Sequence, residues 1–167
     1  MNLRPIIAER VEYLCVKMGA ALYQAQGVEE ILAKYYSIAF KLSSSPTLEQ
    51  INEEFEQNFT HTAGRLVGLL RSVRGANDLV AKRLSEFVDE RVWLVHKLRR
   101  TDYLSLREES GFQTVVLRVS EFERECEQLI ELFHNLLVDY FISLGTSREL
   151  IEQEHLKALR EIYGEYP

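Results

Sequence analysis

Apolar residues along this chain recur at three- and four-residue intervals, the period that lines up one face of an α-helix. Nowhere do they alternate as a strand requires. The longest periodic stretch starts at Asn2 and Pro5, a proline being harmless in a first turn. Ile7, Val11, Leu14, Cys15, Met18, Leu22, Ala25, Ile31, Leu32, Tyr35 and Ala39 mark one face of a helix ending near Leu42. Gly19 and Gly27 interrupt it and are candidate kink points, each less favourable than alanine by about 1 kcal/mol. Ser43-Ser44-Ser45-Pro46 is the first break. Thr47-Leu48-Glu49-Gln50 has the spacing of a capping box and opens a short helix with Leu48, Ile51 and Phe55 inward. A further helix carries Ala63, Leu66, Val67, Leu70 and Val73 and stops at Gly75.

Asn77 or Asp78 caps the next helix, which runs to Arg100 with a stripe of Val80, Leu84, Phe87, Val88, Val95 and Leu98. Thr101 to Ser110, with Asp102 and Tyr103, reads as a polar connection long enough to be a functional loop. Val115, Val119, Phe122, Cys126, Leu129, Phe133, Leu136, Leu137 and Tyr140 define a second long helix, closed by Gly145. Thr146-Ser147-Arg148-Glu149 repeats the capping-box pattern and starts a last helix with Ile151, Leu159 and Ile162 inward. The pattern predicts an all-α fold: a single domain over 1–167, a helical bundle of two long helices and three or four shorter ones.

A chain of 167 residues is long enough to bury a substantial core. No apolar run approaches the roughly 20 residues needed to cross a bilayer. The opening MNLRPIIAERVEYL has charges where a signal peptide needs its apolar centre, so a cytoplasmic location without membrane contact is expected. In that compartment Cys15 and Cys126, both among apolar helix positions, are expected to be small buried hydrophobes and not a bridge. No Cys-x-x-Cys pair suggests zinc.

The net charge of −6 is uneven. Residues 1–64 carry −3, residues 65–107 carry +5 and residues 108–167 carry −8. An evenly acidic chain would argue against nucleic acid; this distribution puts a positive field on the middle third.

That third also holds the one break in the binary pattern. Arg91 falls near the middle of its helix's apolar stripe, His96 lies at the stripe's edge five residues later, and Lys97, Arg99 and Arg100 follow. A guanidinium on a packing face must be paired or used, because burying it bare is costly. One outcome is pairing with Glu29, Glu30 or Glu90, with His96 as a hydrogen-bonded flank. The other is chemistry on a phosphodiester. A neutral-range imidazole can move protons, and a permanently charged planar fork can clamp phosphate oxygens. In a regular helix residues five apart point roughly 140° from one another, so one helix cannot easily wrap both groups around a phosphate. Two helices meeting across a twofold axis can.

The stretch EFVDERVWLVH, with Arg91-x4-His96, an acidic residue before the Arg and Leu-Val before the His, resembles the motif region of the HEPN superfamily. The long first helix, with its ALYQAQGVEEILAKYY segment, resembles that family's opening helix. The resemblance implies a HEPN-like bundle and a metal-independent, cofactor-free endoribonuclease working as a homodimer with a composite site. Its products would carry a 2′,3′-cyclic phosphate and a 5′-hydroxyl. Arg91 and His96 would be the catalytic residues, with Lys97, Arg99, Arg100 and Arg107 holding the RNA backbone. By the same analogy the role is a toxin-type or antiviral one, with a cognate antitoxin or other inhibitory protein as partner. Two positions depart from the family pattern. Val92 stands where a polar residue, often Asn, usually follows the Arg, and Leu98 stands where one subgroup has a modifiable Tyr. A non-catalytic module of the same fold, binding RNA or protein, is the alternative.

Other constellations point elsewhere. Glu131…His134 and Glu152…His155 have the Glu-x-x-His spacing of di-iron bundles, but Glu131 projects nearly opposite its helix's apolar face and His134 lies off the stripe. No metal site is expected. His61, between Thr60 and Thr62, reads as a surface or capping-region residue. Trp93 points about opposite the stripe of its helix, towards another helix, a dimer interface or a stacked base.

Overall fold

The computed structural model describes residues 4–38, 50, 53, 64–65, 67–68, 78–102 and 104–163. The capping box at Thr47, the inward residues Leu48, Ile51, Phe55, Ala63, Leu66, Leu70 and Val73, the stop at Gly75, and His61 and Tyr103 lie outside them. So do the side chains of His155, Leu159 and Ile162. The described chain is an all-α bundle with no strand among the described residues. Helix α1 spans Arg4–Tyr36, α2 Asp78–Val92, α3 Glu109–Ser143 and α4 Arg148–Tyr163.

Helices α1 and α3 form the spine and run parallel. Tyr13 meets Phe112 near their N-terminal ends, and Tyr35 meets Phe133 edge-on further along, with centroids 6.0 and 5.2 Å apart. Ala21, Ala25, Val28 and Leu32 of α1 are fully covered, as are Val119, Cys126, Leu129 and Phe133 of α3. Small residues let the two backbones approach. A Cβ on Gly27 would lie 2.9 Å from Cδ1 of Ile130, so that glycine marks close packing inside an uninterrupted helix and not a break. Helix α2 lies antiparallel to α3: Arg83 pairs with Glu125, Phe87 stacks on Phe122 at 5.7 Å, and Glu90 reaches Arg118. Burying a ring such as Phe87 contributes about 1.5–3 kcal/mol, which is what holds this amphipathic helix to the spine.

The ends follow local rules with small shifts. Gly145 closes α3 with φ of +93°, a left-handed conformation that glycine adopts without a Cβ penalty. The cap of α4 is Ser147, whose Oγ accepts the Leu150 N–H at 3.2 Å, one residue later than the Thr146 pattern suggests. Cys126 is buried as expected, but Cys15 is exposed, because the face it occupies turns away from α3.

Candidate functional site

The helix expected to run unbroken to Arg100 changes geometry at its end. After Val92 it widens into a π turn over Trp93–Lys97, where the Leu98 N–H bonds to the Trp93 carbonyl, and then closes with one α-turn, Leu98–Thr101. Lys97 sits at φ −109°, well outside the usual helical range. A turn closed i→i+5 holds one more residue than an α-turn. Val95, placed in the apolar stripe by regular periodicity, is instead 45% exposed. Trp93, expected opposite the stripe and towards another helix, a dimer interface or a base, is buried with Arg118 of α3 over its ring. The widened turn begins two residues after Arg91 and includes His96, so the angle between those two residues is smaller than the roughly 140° of a regular helix.

Arg91 takes one of the three carboxylates open to it. Its Nε lies 2.7 Å from Oε1 of Glu29 on α1, with 33% of the arginine side chain and 20% of the glutamate side chain exposed. Glu90 instead holds Arg118. The pair is thus half-buried, neither a core lock nor a surface contact. It is made through Nε, the edge of the guanidinium nearest its aliphatic stem. His96, Lys97, Arg99 and Arg100 are all exposed on the final turns of the same helical stretch. Arg107 is also exposed, but it sits apart on a 3-10 turn, Ser105–Arg107.

The connection after Thr101 is shorter and more ordered than an open loop. Leu106 is buried, and Arg10 of α1 donates from Nη1 to the carbonyls of Leu106 and Arg107 at 3.0 and 3.1 Å. The same guanidinium pairs with Glu109 through Nη2 and stacks over Phe112. Backbone carbonyls that a polar loop would offer to water are therefore taken by one arginine.

A second cluster gathers around Trp93. Trp93 donates from Nε1 to Oδ2 of Asp102 at 3.1 Å, and Thr101 donates its hydroxyl to the same carboxylate oxygen. The guanidinium carbon of Arg118 sits 3.7 Å from the centroid of the Trp93 ring. Arg118 in turn donates to both carboxylate oxygens of Glu90, at 2.9 and 2.8 Å. Those hydrogen bonds raise the Arg118 pKa against the opposing effect of burial, and the charges of Glu90 and Asp102 add to the rise. Periodicity singles out Trp93 as pointing away from its stripe, but not its partners, which come from α3 and from the end of the helical stretch.

Two grooves run along the helices. One of about 440 Å³ between α2 and α3 is lined by Phe87, Leu117 and Phe122 together with Glu90 and Arg118 of that cluster; the other, about 380 Å³ between α1 and α3, has Gln24, Ile31 and His134 on its walls. Neither is lined by Arg91 or His96. Glu131 and His134 are exposed, and among the described residues no group of three His, Cys, Asp or Glu side chains is placed to hold a metal ion. No helix among the described residues is long and apolar enough to cross a membrane. Comparison with family models, curated proteins and solved structures gives no match.

Proposed function

We propose that this chain is a metal-independent endoribonuclease of the HEPN type, acting as a homodimer in which each subunit contributes Arg91 and His96 to one cleft. The observation that carries this reading is the end of the α2 stretch. A half-exposed arginine and an exposed histidine flank the start of a π turn that narrows the angle between them, and three further exposed cations follow at once. Single-turn π segments are rare and frequent at functional sites.

In the reaction, the ribose 2′-oxygen attacks phosphorus as a base takes its proton. The P–O5′ bond then breaks as the leaving oxygen is protonated. The products are a 2′,3′-cyclic phosphate and a 5′-hydroxyl. His96 serves as general acid or base. Arg91, through the terminal amino groups beyond its Nε contact, binds the scissile phosphate and stabilises charge developing on it. Lys97, Arg99 and Arg100 hold the flanking backbone, and Arg107 contributes from its separate turn. A second subunit supplies the wall that neither described groove provides. The biological role, a toxin-type or antiviral ribonuclease checked by a protein partner, rests on family analogy alone.

Two observations favour a second reading, a non-catalytic HEPN-like module that binds RNA or protein. Glu29 already neutralises Arg91, and apolar Val92 follows it. Incubating the purified protein with mixed RNA in EDTA, beside His96→Ala, separates the two. The nuclease reading expects fragments ending in cyclic phosphate from wild type and none from the variant, at equal melting temperature. Intact RNA with wild type overturns it, and salt-sensitive binding unchanged by His96→Ala establishes the module instead.

A further inference from the structure

We infer that Trp93, Asp102 and Arg118 are positioning residues: together they clamp the π turn open and so set the angle between Arg91 and His96. The functional consequence rests on the ribonuclease reading; the clamp itself does not.

A π turn exchanges the compact α-turn for a wider one and is rarely held without outside support. Here the support comes from both sides of the insertion. Before it, Glu90 of α2 fixes the Arg118 guanidinium by two hydrogen bonds. Within it, Trp93 is pressed beneath that guanidinium at 3.7 Å. After it, Asp102 takes the indole N–H, and the Thr101 hydroxyl donates to that same carboxylate oxygen, tying it to the final turn. The indole thus spans the widened segment, its ring held by α3 and its N–H held by the residue that ends the helical stretch. Return to a regular helix would leave Trp93 beneath Arg118 but rotate the turns after it, carrying Asp102 away from the indole N–H. His96 would swing towards the roughly 140° separation from Arg91 that regular geometry imposes. None of the three residues needs to touch RNA. Each acts through the backbone that carries His96.

The direct test is the hydrogen bond itself. In isotope-labelled protein, scalar coupling across hydrogen bonds should link the Leu98 nitrogen to the Trp93 carbonyl carbon. In Arg118→Met, which keeps the stem but loses the planar charge, the coupling should move to the Leu94 carbonyl. Cleavage should then fall about 100-fold, as a displacement of about 1 Å at a reacting group can cause. The loss should lie in kcat with KM nearly constant, because the exposed cations still bind the backbone. Trp93→Phe keeps an aromatic face for Arg118 but loses the indole N–H together with its five-membered ring; it carries the same readouts if Arg118→Met fails to fold. Coupling that stays on Trp93 in both variants overturns the inference. Should wild type leave RNA intact while the coupling moves as expected, the clamp stands and the ribonuclease reading alone is lost.

Discussion

Replacing Glu29 by glutamine asks whether Arg91 is a structural tie or a phosphate ligand held in reserve. Two unit charges 2.7 Å apart attract by about 6 kcal/mol at an effective dielectric near 20. That figure is a ceiling. With 33% and 20% of the two side chains exposed, water screens the pair, and ordering two long side chains offsets much of the remainder. Exposed pairs contribute about 0.2–1 kcal/mol in double-mutant cycles, so a half-buried one should couple by about 1 kcal/mol. Urea denaturation of wild type, Glu29→Gln, Arg91→Gln and the double variant measures that coupling, which should shrink at high salt.

The same variant has an opposite effect on RNA. Glu29 competes with phosphate for the guanidinium, so removing its charge should tighten RNA binding about fivefold, the affinity equivalent of about 1 kcal/mol. Arg91→Gln should weaken binding instead. The decisive result is the pair of signs: stability falls while affinity rises. If Glu29→Gln and Arg91→Gln both leave affinity unchanged while destabilising the fold, Arg91 is a tie between α1 and α2 and nothing more, and the proposed site loses its phosphate ligand.

Two further outcomes follow from other parts of the molecule. Cys126 is buried, and burial first, then neighbouring glutamates, push its thiol up to about 12, so at pH 8 a thiol reagent should titrate one cysteine, Cys15, in native protein and two in denaturant; two native thiols would show that the α1–α3 interface opens. The Glu109 carboxyl is held below its usual value, first by its hydrogen bond from Gln113, which outweighs the opposing effect of desolvation, with the charge and hydrogen bond of Arg10 adding to the fall. A lowered folded value means its contribution is present above the ordinary carboxylate range and is lost as pH falls through it. Acid unfolding of Glu109→Gln should therefore begin from lower stability but fall less steeply, and an unchanged acid limb would refute the assignment.

Periodicity alone was enough for the fold class and the two spine helices, because it is a local property and long apolar stripes leave little choice. The buried face of α3, from Val115 through Phe133, was legible residue by residue, and so was Gly145, where only a left-handed turn could stop the helix. Arg91 was legible as an anomaly for the same reason, and Glu29 stood among its possible partners. Tertiary structure decided what periodicity cannot carry. Angular arithmetic holds only while a helix stays regular; the π turn after Val92 lies outside it, and Val95 ends exposed while Trp93 is covered by Arg118 of α3. Which carboxylate meets which cation, Glu29 with Arg91 and Glu90 with Arg118, depends on the register between packed helices, where every acidic residue along a face is equivalent until the neighbours arrive. The same packing left Cys15 exposed and brought Arg10 of α1 against the connection before α3, where it donates to the Leu106 and Arg107 carbonyls.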